Sequence, residues 1–115
     1  MHSTLLDRFY AAATQRDATA LRALLTDDFT FTSPMGTFDT PEAYVAHLVG
    51  FAGYVTERRT ITEGARVVHL SVYNLQAEDE TVLATIPLCD IFTVRDGRFA
   101  AQETFCDTAL FPVPA

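Results

Sequence analysis

Apolar and polar positions alternate most regularly between Thr81 and Val94, in the stretch TVLATIPLCDIFTV. At the two-residue period of a strand, one face carries Val82, Ala84, Ile86, Leu88, Asp90, Phe92 and Val94. All but Asp90 are apolar, so this is the face that turns inward. A buried carboxylate without partners is costly, so the pattern predicts that Asp90 is hydrogen-bonded, protonated or facing a cavity.

The rest of the chain falls into elements around this strand. From about Ser3 to Gln15, Leu5, Leu6, Phe9, Ala12 and Ala13 form a stripe at helical spacing. Asp17 is suited to cap a second short helix with Leu21, Leu24 and Leu25 on its buried side, ended by Asp27 and Asp28. Phe29 to Thr32 alternates as a short strand, and Ser33-Pro34-Met35-Gly36 reads as a turn. Thr40 caps a third helix with Pro41 at its first position, running to Gly50 or Phe51, with an inner stripe of Tyr44, His47, Leu48 and Phe51.

Beyond Gly53 the period changes. Strands are predicted over Val55 to Thr62, Arg66 to Gln76, Thr81 to Val94 and Arg98 to Asp107, and the tail LFPVPA is too proline-rich to continue the last. Three helices followed by a four-stranded antiparallel meander make an α+β fold, its helices on one face of a curved sheet. With 115 residues and no repeat or linker, a single domain over 1–115 is expected.

Charge narrows the function. The net charge is −7, which repels phosphate-rich partners and argues against nucleic acid. All 8 basic residues are arginines, so lysine Schiff-base chemistry and lysine-bound pyridoxal phosphate are excluded. No apolar run has the length of a membrane span and no signal-peptide layout opens the chain, so the expectation is a cytoplasmic protein away from membranes. Cys89 and Cys106 fit neither a disulfide framework nor a metal motif.

The segments RFYAAATQRDATALRALLTDDFTFTSPMG and DIFTVRDGRFAAQETFCD, with a helix from Thr40 between them, resemble the nuclear transport factor 2-like superfamily, which includes ketosteroid isomerase and the SnoaL-like polyketide cyclases. The resemblance implies a cone-shaped curved sheet wrapped around a helix, a deep apolar pocket, and dimerisation through the outer sheet face. It also implies which positions to inspect. Where ketosteroid isomerase has its base this chain has Ser33, and its oxyanion-hole tyrosine matches Phe9; only the acid donor position is kept, as Asp90. The aspartate of the SnoaL-like cyclases matches Thr104, and the arginine of limonene epoxide hydrolases matches Leu88. None of these three reactions is therefore expected in its family form.

His47, on the apolar stripe of the third helix, is the residue best suited to pair with Asp90 and act as a base near neutral pH. Ser33, Gln102 and Thr104 are placed to bind substrate oxygens, and Phe9, Met35, Tyr44, Phe51, Leu88, Phe92 and Cys106 to form an apolar wall. Each has a plainer role beside it. His47 is equally a core histidine bonded to a carbonyl, Asp90 a structural group, and the aromatic residues and cysteines packing residues. His69 faces the pocket or the outside depending on hairpin length, and a bulge at Pro87 would reverse the facing of Val82 to Ile86. His47, His69 and Asp90 have the composition of a metal set, without diagnostic spacing. Two functions stay open: a cofactor-independent acid/base enzyme of isomerase, cyclase or dehydratase type acting on a small hydrophobic molecule, and a non-catalytic binding module. Leu83, Cys89, Ile91, Phe99 and Phe105 make the outer face apolar enough to predict a homodimer.

Overall fold

A computed structural model describes residues 2–111; the proline-rich end of the tail lies outside the described residues. The elements are α1 (His2–Thr14), α2 (Ala18–Ala23), β1 (Leu25–Ser33), β2 (Gly36–Phe38), α3 (Pro41–Leu48), β3 (Ala52–Glu63), β4 (Arg66–Gln76), β5 (Val82–Arg95), β6 (Arg98–Cys106) and a 3-10 turn (Thr108–Leu110). The α+β architecture expected from the sequence is what forms: helices against one face of a curved, unclosed six-stranded sheet ordered β2-β1-β6-β5-β4-β3.

Both expected caps are made. The Asp17 carboxylate accepts from the Ala20 amide at 3.1 Å, and the Thr40 hydroxyl from the Ala43 amide at 3.2 Å. Several boundaries differ from expectation, among them the start of β3 at Ala52 instead of Val55. Asp27 and Asp28 do not end α2 but lie within β1, because Leu24 already closes the helix. Gly36–Phe38 folds back onto β1 as a strand too short to show a period. Helix α3 stops at Leu48, two residues early, with Val49 as its C-cap.

The meander β3-β4-β5-β6 is antiparallel as read, but β1 joins it in parallel alongside β6, with Phe31 opposite Gln102. Strand β2 and helix α3 intervene between β1 and the meander, which leaves the chain free to return in the same direction. Pairing of β4 with β5 is regular from Leu75 opposite Ala84 to Arg66 opposite Thr93, so no bulge occurs at Pro87. Strand β6 pairs only from Leu88 onward, which leaves Pro87 next to an open edge.

Two irregularities decide which residues face inward. Between Thr93 and Val94 the β5–β6 register shifts by one residue, which turns Phe99 from the outer face into the core. Phe99, expected outside, is fully buried, with its ring centroid 4.4 Å from that of Phe92 and 5.6 Å from that of Phe9. The second is in β3, where Glu57 and Arg58 stand together opposite Ser71 and Glu57 takes φ of 54°. That bulge swings Arg58 towards α1, where its guanidinium meets Asp7 at 2.7 Å and lies 5.2 Å from the Tyr10 ring centre.

The core fills one end of the structure with Leu5, Leu6, Phe9, Leu21, Leu25, Phe29, Phe92 and Phe99. The other end stays hollow. No helix among the described residues is long and apolar enough to cross a membrane.

Candidate functional site

The hollow is a cavity of about 410 Å³ between α1, α3, the Ser33–Phe38 turn and the inner face of the sheet. Its size lies within the range of small-molecule pockets, roughly 300–1,000 Å³. Asp90 sits on its wall with 2% of its surface exposed. The alternation of β5 turns Asp90 inward, and the ladders of β4 and β6 set His69 and Thr104 beside it.

Three side chains donate to the Asp90 carboxylate. Gln102 Nε2, at 3.1 Å, and the Thr104 hydroxyl reach Oδ1, while the Tyr10 hydroxyl reaches Oδ2 at 3.0 Å. The Tyr44 hydroxyl donates to Gln102 Oε1, which turns the amide so that its N–H faces Asp90. Helices α1 and α3 and strand β6 thus converge on one carboxyl. Burial pushes Asp90 above the usual carboxylate range, and the donors Thr104, Gln102 and Tyr10 pull it back. Burial, with the nearby Asp90 charge, holds both Tyr10 and Tyr44 well above their ordinary value.

His47 also lines the cavity, though on its rim. Its side chain is largely exposed, packed between the rings of Phe38 and Phe51 at 4.8 Å each, and this partial burial lowers its pKa. No hydrogen bond joins it to Asp90 among the described residues, so the expected direct pair is not formed. Helix α3 presents Tyr44 to the acid network, and His47, three residues on, falls nearer the mouth.

His69 is fully buried and faces inward, because β4 pairs with β5 without a slip from Leu75 to Arg66. It stacks on Tyr10 at 4.7 Å, and Arg58 Nε donates to its Nε2 at 3.0 Å. Burial, and then the Arg58 charge, lower its pKa to about 4. Its Nδ1 and the Ser71 hydroxyl, two residues along the same face, are buried and find no hydrogen-bond partner among the described residues. No cluster of His, Cys, Asp and Glu placed to hold a metal is found among the described residues.

Of the other residues singled out from the sequence, Phe9, Ser33, Met35, Tyr44, Phe51, Leu88, Gln102, Thr104 and Cys106 line the cavity. Phe92 does not: it packs behind the wall against Phe9 and Phe99, as core. Tyr10, not Phe9, is the aromatic residue of α1 that partners Asp90. The signal was present, since Tyr10 is four residues after Leu6 and three before Ala13 on the same helical stripe. Tyr54 and Tyr73 were also missed. Tyr73 crosses so near β3 that a Cβ on Gly53 would stand 2.3 Å from its hydroxyl, which is why glycine is needed there.

Fold and site together define a class: a helix-wrapped curved sheet holding a partly enclosed apolar cavity with one buried acid on its wall. Within it the chain belongs to the SnoaL-like domain family, matching it over residues 6–102. The resemblance to nuclear transport factor 2-like proteins is borne out at the level of family and fold. An NTF2-like protein of unknown function from Cytophaga hutchinsonii ATCC 33406 superposes with TM-score 0.82 at 19% identity, covering 95% of this chain and 92% of that one. An LEH-like epoxide hydrolase from M. tuberculosis gives TM-score 0.79 at 18% identity, with 93% and 83% covered. TerC, solved with polyporic acid, gives TM-score 0.77 at 22% identity, with 92% and 91% covered. At such identities the likeness is one of fold. No match was found among curated proteins.

Proposed function

We propose that this chain is a small-molecule pocket protein working as a cofactor-independent acid/base enzyme, of isomerase, cyclase or dehydratase type, on a hydrophobic ligand. One observation carries the reading: Asp90, 2% exposed, lies on the wall of a 410 Å³ cavity with three donors trained on it. Burial favours the neutral acid and the donors favour the carboxylate, and the net shift is upward, the direction that makes a carboxyl a better base. In this reading Asp90 takes a proton from the bound molecule and returns it at another atom. Phe9, Tyr44, Phe51, Leu88 and Cys106 hold the hydrocarbon, while Ser33, Met35, Gln102 and Thr104 complete the lining. His47, on the rim, is the second titrating group facing the ligand. Leu88 in place of a cation argues against epoxide opening of the kind named for the M. tuberculosis neighbour.

A second reading, a non-catalytic binding protein, has its own support, because Tyr10, Gln102, Thr104 and Tyr44 are all engaged in satisfying one another and Asp90. Asp90→Asn separates the two once a thermal-shift screen of small aromatic and terpenoid carbonyl compounds has supplied a ligand. Catalysis predicts turnover reduced about 10²–10⁴-fold with affinity for a neutral ligand kept. Unchanged turnover rejects the acid/base role. The reading includes a homodimer joined through the outer sheet face. Two free cysteines, Cys89 and Cys106, suit the reducing conditions of the cytoplasm.

A further inference from the structure

We propose that the cavity is built for a hydrophobic ammonium ion, its N–H seated on Asp90 and its hydrocarbon body against the aromatic wall. This rests on the cavity being the ligand site and deepens that reading by naming the ligand's class. Three features of the lining lead to it.

The first is charge. The chain has no lysine, and none of its 8 arginines is among the lining residues. Among the described residues Asp90 is the only carboxylate there, and its three donors are neutral. A neutral ligand filling the cavity would strip water from an ionised carboxylate and offer no counter-charge, a costly exchange. An anion would meet that carboxylate with no cation to offset it. An ammonium ion supplies the missing charge.

The second is the wall. All four tyrosines of the chain and five of its nine phenylalanines line the cavity. Aromatic faces are electron-rich and attract a cation, and they shed water from its hydrocarbon part as well. The third is valence. A carboxylate offers about four acceptor positions. Among the described residues two donors occupy Oδ1 and one occupies Oδ2, so an acceptor position on Oδ2 is left for a ligand N–H. The net charge of −7 adds a long-range field that draws cations in.

Among the groups that face Asp90, its own ionisation is the one that governs affinity. Tyr10 from α1 and Tyr44 from α3 stay protonated, and burial raises the thiols of Cys89 on β5 and Cys106 on β6. His69 from β4, with a pKa of about 4, is neutral, and Arg58 from β3 is held beyond it by His69 and Asp7. His47 on the rim is lowered by burial. An ammonium ion favours the carboxylate, so its affinity rises with pH through the titration of Asp90. A neutral ligand shows the opposite trend.

The test uses the full chain and three probes of one shape: cyclohexylmethylammonium, cyclohexylmethanol and cyclohexanecarboxylate, compared by thermal shift and calorimetry at equal ionic strength. The ammonium probe is expected to bind at least tenfold more tightly than the alcohol, and the carboxylate not at all. Asp90→Asn should weaken the ammonium probe tenfold or more and leave the alcohol bound no more weakly than before, so that the preference for the ammonium probe is lost. Should that variant not fold, the wild-type ratio of ammonium to alcohol affinity decides, since it must climb with pH. Alcohol binding as well as ammonium overturns the ligand class while the pocket reading survives; no binding by any probe sinks both.

Discussion

Asp90 and Tyr10 hold each other's protonation state. The folded pKa of Asp90 lies above its ordinary 3.8, so the folded protein keeps this proton to higher pH than the unfolded chain. Asp90 therefore contributes stability that is fully present below the unfolded value and is lost as pH rises through the folded one. Each donor limits the loss by favouring the carboxylate. Tyr10→Phe removes one and is expected to move the Asp90 midpoint further up, read by carboxyl-carbon NMR. At neutral pH it should destabilise by about 1.5–3 kcal/mol, as for other hydrogen bonds to charged groups, and by less in acid where the charge is gone. An unmoved midpoint would show that Tyr10 does not govern the acid.

At the scale of elements, the bulge in β3 is what ties the outer strand to the first helix. One extra residue at Glu57–Arg58 puts Arg58 against Tyr10, His69 and Asp7 instead of along the strand edge. The backbone at Glu57, φ of 54°, is one that a side chain adopts at a cost and glycine adopts freely. Glu57→Gly is expected to raise the urea midpoint, by up to about 1 kcal/mol of stability, the entropy lost by glycine offsetting part of the relief. Its cavity should be unaffected. A lower midpoint would mean that the Glu57 side chain contributes more than its backbone costs.

For the whole molecule, the outer sheet face poses the larger question. Leu83 and Phe105 are 54% and 51% exposed, and Phe105 borders a more open groove of about 560 Å³ with Leu70, Val72, Pro87 and Cys89. A second copy covering this face would remove that apolar surface from water. Sedimentation of the wild-type chain at micromolar concentration should show a dimer, and Phe105→Asp should shift it to monomer by placing a charge in the contact. A wild-type chain that sediments as monomer ends the proposal.

Much of this was legible without coordinates, because local signals act over short distances. Capping by Asp17 and Thr40, the helical stripe of α1 and the alternation that turns Asp90 inward all depend on neighbours within a turn or two along the chain. Side-chain chemistry and charge are likewise properties of the chain itself, and they pointed to Asp90 and part of the cavity lining, though not to Tyr10, Tyr54 or Tyr73. Facing at a distance was another matter. A single inserted residue reverses a strand, so Phe99 went to the core and Arg58 to the first helix, and His69 was settled only by an unbroken ladder. Parallel pairing of β1 with β6, the choice of Tyr10 over Phe9, and the placing of His47 on the rim were decided in space. A cavity is the volume that packing leaves unfilled, and no periodicity along a chain encodes a remainder.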